Sequence, residues 1–180
     1  MEIQYLRKLK YLLEKTQCRV FFILNSQKDE LSQSCKVQRY TRFKYSKIES
    51  ILNPDGSYQR FIAHIEPRVN SKASCSACGK PCPGYDSKPD PRLFQFVPLF
   101  NVPLYFSYVM RRVQCSHCGG VKTESVPWAS GKHQTCEVFR KFLASWAKRL
   151  SWKDTATSFD TSWDTVYRST GLFSGLSTMA

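Results

Sequence analysis

The spacing of hydrophobic and polar residues changes several times along this chain. From Ile3 to Leu13 the apolar residues recur at helical spacing, with basic residues between them, which predicts a short amphipathic helix over residues 2–15. Residues 28–47 are polar and basic without a clear period, so we expect a loosely ordered connector there. Residues 1–47 are therefore predicted to form an N-terminal helix and a basic connector.

Alternating apolar residues and turn sequences mark the middle of the chain as β-structure. Residues 48–69 predict a hairpin, because two apolar runs flank the strong turn sequence from Asn53 to Gly56. A second strand-rich stretch runs from Arg92 to Val113. Pro98 and Pro103 confine the link between its two runs to a turn or a sheet edge, because proline cannot donate a ladder hydrogen bond.

The last third of the chain returns to a helical period. One apolar stripe runs from Phe139 to Leu150 and predicts a first helix. Two capping-box signatures follow, and they predict two more helices, over Trp152–Phe159 and Ser162–Ser169. A tight turn at Asp160–Thr161 would join these two as a helix-turn-helix. The alternative is a plain three-helix packing unit that makes no contact with DNA.

The same pattern predicts which side of each short helix is buried. The second helix should be capped by Ser151 with Asp154, and the third by Thr161 with Asp164. The inward-facing residues are predicted to be Trp152, Ala156, Phe159, Trp163, Val166 and Tyr167.

Two CxxC pairs carry the most specific chemistry in the chain, namely Cys75 with Cys78 and Cys115 with Cys118. Each pair places two soft thiolates on one turn, and two such turns together give the four-sulfur set that Zn²⁺ prefers in closed, structural sites. Glycine follows each pair, at a position where a metal-binding knuckle needs a residue that tolerates positive φ. The 36 residues between the pairs are more than a compact zinc ribbon has, and they suit a hairpin or a small sheet.

Free or disulfide-bonded cysteines are the alternative, since the chain has 8 Cys, an even number. No apolar signal-peptide core is found near the N-terminus, and paired CxxC turns in a cytosolic chain are more often metallated than oxidised. Cys82 and His117 are the alternative ligands, each less favoured than the four paired cysteines. No apolar run reaches the ~18–20 residues of a membrane span.

Charge indicates a negatively charged partner. Lys and Arg number 27 against 14 Asp and Glu, giving a net charge of +13. Such a field favours phosphate backbones, although a solvated basic surface has the same composition. In a helix-turn-helix the third helix enters the major groove, so Ser162, Thr165 and Arg168 are predicted to face DNA bases. Lys148 and Arg149 are predicted to contact phosphates.

Several motifs in family order resemble the N-terminal part of bacterial insertion-sequence transposases of the ISL-three family. The likeness extends from Cys75 to Ser169 and is carried by Cys75–Gly79, Cys82–Asp86, Arg111–Gly119, Val126–Ala129, Trp146–Trp152 and Thr161–Arg168. The family joins a four-cysteine zinc finger, a helix-turn-helix and a catalytic domain with an Asp-Asp-Glu triad. The resemblance departs at both ends, in residues 1–46 and from Thr170 to Ala180, which is consistent with a truncated copy.

The resemblance implies that Cys75, Cys78, Cys115 and Cys118 hold zinc and that the helices over 152–169 bind terminal inverted repeats. The catalytic triad would lie beyond residue 180, so the fragment is expected to be catalytically inactive. The expected partner is double-stranded DNA, with self-association or a full-length transposase as further partners. Neither a membrane nor a small-molecule substrate is expected, and the expected location is the cytoplasm of a bacterium, at the nucleoid.

Together these features predict an α+β fold with a short N-terminal helix, a small β-rich zinc-binding module and a three-helix helix-turn-helix module. The predicted divisions are 1–47 for the helix and connector, 48–128 for the zinc finger, 129–170 for the helix-turn-helix and 171–180 for a tail. A stand-alone zinc-binding regulator or adaptor that binds DNA is the alternative function. The third hypothesis, an enzyme with Cys136 as nucleophile near His133, is the weakest of the three, because Cys136 lacks an evident orienting partner.

Overall fold

A mixed four-stranded sheet and three helices form the structure, a computed structural model that describes residues 40–173. The strands are β1 (Phe43–Leu52), β2 (Tyr58–Pro67), β3 (Ala73–Ser74), β4 (Pro81–Cys82), β5 (Gly84–Ser87), β6 (Arg92–Leu99), β7 (Val102–Tyr108), β8 (Arg111–Gln114) and β9 (Val121–Thr123). The helices are α1 (Glu137–Trp146), α2 (Trp152–Ser158) and α3 (Trp163–Phe173). The mixed α+β class is confirmed. The helix predicted over residues 2–15 lies outside the described residues.

The predicted hairpin is confirmed, and it is longer than the sequence indicated. β1 and β2 pair antiparallel around a turn in which Gly56 has φ 82° and donates its N–H to the carbonyl of Asn53 at 3.0 Å. β1 begins at Phe43, so the end of the predicted connector is wrong for residues 43–47. Phe43 is buried opposite Pro67, which explains why the strand extends back to it.

The order of strands in the central sheet is β1-β2-β7-β6. β2 and β7 pair in parallel, whereas β6 and β7 form an antiparallel hairpin. Alternate residues of these strands point to one buried face, as the two-residue period of a strand requires. The buried face contains Phe61, Ala63 and Ile65 of β2 and Leu104, Phe106 and Tyr108 of β7.

Trp128 lies at the centre of the core and joins the sheet to the helices. Its ring is 1% exposed and makes edge contacts with Phe43 at 4.9 Å and Tyr108 at 5.3 Å between ring centroids. The same cluster continues into Phe139 of α1 and Val166 of α3. The segments on either side of the predicted division at residue 128 therefore share one core.

Two helix boundaries differ from the sequence prediction. α1 ends at Trp146, where the apolar stripe predicted a helix to Leu150. α3 continues to Phe173, so the predicted end at Ser169 and the predicted start of the tail at residue 171 are wrong. Glycine costs a helix only about 1 kcal/mol relative to alanine, and α3 is anchored to the core by the fully buried Val166.

Candidate functional site

The two CxxC turns meet in a cluster of four thiols formed by Cys75, Cys78, Cys115 and Cys118, whose sulfur atoms all lie within 4.8 Å of one another. The Sγ atoms of Cys78 and Cys115 are 3.7 Å apart. A tetrahedral zinc site with Zn–S bonds of about 2.3 Å requires sulfur atoms about 3.8 Å apart. This four-thiol cluster can therefore hold a metal ion.

The first turn has the backbone geometry of a metal-binding knuckle. The N–H of Gly79 donates to the carbonyl of Cys75 at 2.8 Å, and the N–H of Cys75 donates to the carbonyl of Lys80 at 2.9 Å. The N–H of Ala77 points at the Cys75 sulfur at 3.4 Å. Gly79 has φ 72°, a conformation that glycine adopts without a Cβ clash.

The second turn repeats this arrangement. The N–H of Cys118 points at the Cys115 sulfur at 3.4 Å, and the N–H of Cys115 donates to the carbonyl of Gly120 at 3.1 Å. Gly119 has φ 68°. Backbone N–H groups aimed at sulfur favour the thiolate over the thiol, which is the form that binds a metal.

Short strands hold the two turns against each other. The N–H of Ser76 donates to the carbonyl of Thr123 at 3.1 Å, and Cys75 forms an isolated antiparallel bridge with Glu124. The β5, β8 and β9 strands make a three-stranded sheet beneath the second turn. The residues between the pairs were expected to form a local hairpin or sheet, yet they also supply β6 and β7 to the central sheet.

The protonation of the four-thiol cluster is uneven. The N–H of Cys118 is the main cause that lowers the pKa of Cys115 to about 6. The hydrogen bond with Cys78 is the main cause that raises the pKa of Cys118 to about 12. One thiolate thus forms readily, and its charge opposes ionisation of its neighbours, which is the electrostatic conflict that a bound cation removes.

The alternative ligands lie beside the cluster and are not among its four members. Cys82 is buried, burial raises the pKa of its thiol, and its sulfur donates to the carbonyl of Lys80 at 3.4 Å. His117 is exposed, and its Nε2 contacts Nζ of Lys80. Cys75 and Cys115 are fully buried while Cys78 and Cys118 are exposed, so one side of the site faces solvent.

The start of α3 differs from the prediction. Ser162, not Thr161, caps the helix, since its Oγ accepts the N–H of Thr165 at 3.2 Å. The hydroxyls of Ser162 and Thr165 are 2.8 Å apart, so two of the three side chains predicted to face DNA bases contact each other. Arg168 is exposed, and its Nε lies 3.0 Å from the carboxylate of Asp164.

Three aromatic side chains predicted to be buried are instead exposed, and they define an aromatic face of Trp152, Trp163 and Tyr167. The exposed fractions are 44%, 61% and 50% respectively. The rings of Trp152 and Tyr167 lie 5.0 Å apart between centroids, which joins α2 to α3 on this face. The inward prediction is wrong for these three residues and right for Ala156 and Val166, which are buried.

The two remaining groups of predicted site residues lie at either end of α1. Lys148 and Arg149 follow its C-terminus and are exposed, as a phosphate contact requires. Cys136 precedes its N-terminus and is fully buried, and burial raises the pKa of its thiol. A buried thiol with a raised pKa lacks the thiolate character of a nucleophile, which opposes the enzyme alternative.

Comparisons with known proteins yielded no match to a family model, to a curated protein or to a solved structure. Within residues 40–173, no helix is both long enough and apolar enough to span a membrane.

Proposed function

We propose that this chain binds double-stranded DNA through α3 and that Zn²⁺ in the four-thiol cluster organises the β-rich part. The observation that carries the proposal is the tight connection between α2 and α3. Asp160 adopts φ 48° there, and the N–H of Thr161 donates to the carbonyl of Ala156 at 3.0 Å. This turn joins two short helices in close succession, and Trp163, Tyr167 and Arg168 of α3 are exposed, which suits the recognition helix of a DNA-binding helix-turn-helix unit.

Zinc is the metal whose chemistry fits four converging thiolates best, because tetrahedral S₄ sites favour Zn²⁺ over harder cations. With four protein ligands the site has no position for water, so its role is structural. The short strands around the two knuckles bury little apolar surface of their own. Metal binding would therefore be coupled to the folding of this part of the chain.

The DNA contacts that we assign differ in kind. Arg168 projects from the exposed side of α3, where its guanidinium can reach a base edge, while Lys148 and Arg149 can reach phosphates. The aromatic face beside Arg168 supplies flat, apolar surface next to the charged groups. The net charge of +13 supports association with a polyanion.

The resemblance to ISL-three transposases indicates the finer function, recognition of the terminal inverted repeats of an insertion element. We test it with a labelled duplex carrying a terminal repeat and a scrambled duplex of equal length, titrated at several salt concentrations. Preference for the repeat by ~10³-fold or more at physiological salt supports the proposal. Equal affinity for both duplexes contradicts repeat recognition, and no binding to either contradicts DNA binding.

A further inference from the structure

Two arginines line one open cavity at the junction between the central sheet and the first knuckle. Arg42 precedes β1 and Arg68 follows β2, and the N–H of Arg68 donates to the carbonyl of Arg42 at 2.9 Å. The cavity has a volume of about 370 Å³ and is lined by Thr41, Arg42, Arg68, Val69, Asn70 and Ser71. None of these lining residues is acidic, so the two arginines give this arginine cavity a net positive charge.

The backbone bond places Arg42 and Arg68 opposite each other, and both side chains are exposed. Like charges directly opposite each other on paired backbone segments destabilise the pairing. The guanidinium of Arg42 donates to the neutral Ser74 hydroxyl, and neither arginine forms an ion pair with a carboxylate among residues 40–173. A bound anion would offset the repulsion between two like charges placed in this way.

The hydroxyl group of Ser71 gives independent support for an anion in this cavity. Its Oγ is buried and has no hydrogen-bond partner among the described residues. The residue is fixed in place, because its N–H donates to the carbonyl of Arg68 at 2.9 Å and its carbonyl accepts Arg111 at 3.1 Å. A buried hydroxyl without a partner is unfavourable, and turning the Ser71 side chain toward an anion in the cavity would give it an acceptor.

We propose that the arginine cavity binds one phosphate group. Planar guanidinium groups match the oxygen atoms of phosphate, and the Thr41 and Ser71 hydroxyls with the Asn70 amide supply neutral donors around them. The source of the phosphate is a phosphodiester of the DNA backbone, an assignment that rests on the proposed function. The same chemistry would also accept free phosphate, and the experiment separates the two sources.

The first arm of the experiment uses inorganic phosphate alone. Thermal unfolding is measured in phosphate and in chloride at equal ionic strength, for the wild type and for Arg68→Gln, Ser71→Ala and Lys88→Gln. Lys88 is exposed and lies outside the cavity, so its variant matches the loss of one charge. A ligand that binds only the folded state raises the unfolding midpoint. The expected result is a phosphate-dependent rise in the wild type and in Lys88→Gln that disappears in Arg68→Gln and shrinks in Ser71→Ala.

The second arm repeats the salt-titrated duplex binding with the same variants. Arg68→Gln should reduce the slope of log affinity against log salt by about 1 and weaken all duplexes alike. Ser71→Ala should weaken binding without changing that slope, because it removes a donor and no charge. Lys88→Gln should leave both quantities at the wild-type values.

Each outcome decides between the two proposals. If the wild type binds duplex DNA but Arg68→Gln and Ser71→Ala behave like Lys88→Gln in both arms, the phosphate site is wrong and the proposed function stands. If the wild type binds no duplex, the proposed function fails. In that case a phosphate-dependent rise of the unfolding midpoint that disappears in Arg68→Gln would still support the cavity as a site for free phosphate. If the wild type shows no phosphate-dependent midpoint and no duplex binding, both are overturned.

Discussion

Arg111 of β8 and Glu124, which follows β9, form a bidentate ion pair in the metal-binding part of the chain, and Tyr108 of β7 links this pair to the central sheet. Nε and Nη2 of Arg111 each donate to one carboxylate oxygen of Glu124 at 2.8 Å. The hydroxyl of Tyr108 donates to the same carboxylate at 2.8 Å, and the remaining guanidinium nitrogen of Arg111 donates to the carbonyl of Ser71. The Glu124 side chain is 1% exposed, so its charge is buried and fully hydrogen-bonded.

The first prediction follows from this burial. Glu124→Gln leaves the Arg111 guanidinium without its charged partner, and breaking one side of a buried pair costs about 3–5 kcal/mol. Urea unfolding should show this loss in the free energy of unfolding. Glu137→Gln is the control, because Glu137 is exposed on α1 and its substitution should change stability by less than about 0.5 kcal/mol. Equal stability of the two variants would show that the ion pair adds nothing to the fold.

The second prediction concerns the metal. Protein purified without chelator should contain about one Zn²⁺ per chain, since a closed site uses four protein ligands. Cys78→Ser and Cys118→Ser should lose the metal and unfold the knuckles, whereas Cys82→Ser should retain it. Elemental analysis and circular dichroism measure both effects. Absence of zinc from the wild-type protein, or retention of stoichiometric zinc by Cys118→Ser, contradicts the assignment.

The sequence predicted the four-thiol cluster and the β1–β2 hairpin because each depends on local geometry. A CxxC turn places two sulfur atoms together whatever surrounds it, and the turn from Asn53 to Gly56 determines which residues of its flanking strands pair. The parallel pairing of β2 with β7 was not predictable in this way. This pairing joins residues far apart in sequence, because the first knuckle and β6 come between β2 and β7 along the chain.

The orientation of α3 was predicted wrongly for a different reason. Each residue advances a helix by about 100°, so Trp163 and Tyr167 lie close together while Val166 lies to one side. The size of the aromatic side chains predicts that they face the core, but Val166 and Ser169 are the buried residues of α3. Sequence hydrophobicity alone cannot distinguish an aromatic residue that fills a core from one that forms an exposed surface.

The third prediction tests that correction. The Val166 side chain is fully buried in the core, so Val166→Ala should lower the free energy of unfolding by on the order of 2 kcal/mol. Trp163 is 61% exposed, so Trp163→Ala should change stability by less than about 0.5 kcal/mol despite removing a larger side chain. Urea titration of the two variants compares them directly. If Trp163→Ala loses more free energy of unfolding than Val166→Ala, Trp163 faces the core and the exposed orientation is wrong.

The fourth prediction concerns strand cleavage. In the described residues the carboxylate of Asp86 pairs with Arg112, that of Asp55 accepts the N–H of Ser57 at 2.9 Å, and that of Glu124 pairs with Arg111. Incubation with Mg²⁺ and terminal-repeat DNA should therefore give no cleavage or joining on a sequencing gel. Nicking that copurifies with the protein, requires Mg²⁺ and disappears on substitution of one of these acids would contradict the prediction.

The last prediction separates base reading from phosphate contact. Arg168 is exposed and, among the described residues, pairs with Asp164 across one turn of α3, a surface pair that contributes little to stability. Arg168→Ala should therefore leave unfolding unchanged and weaken binding to the terminal repeat by ~1–3 kcal/mol if a base contact is lost, with a smaller effect on scrambled duplex. Thr165→Ala is expected to reduce the same preference, and its urea unfolding shows whether loss of the contact with the Ser162 hydroxyl also weakens the helix cap.

Arg149→Ala is the matched comparison for charge. We assign its side chain to a phosphate contact, so the variant should weaken binding to repeat and scrambled duplexes equally and reduce the slope of log affinity against log salt by about 1. Binding is measured by fluorescence anisotropy at several salt concentrations, with urea unfolding of each variant alongside. If Arg168→Ala and Thr165→Ala both keep the wild-type affinity and sequence preference, α3 is a packing element, and its assignment as the DNA-reading helix is wrong.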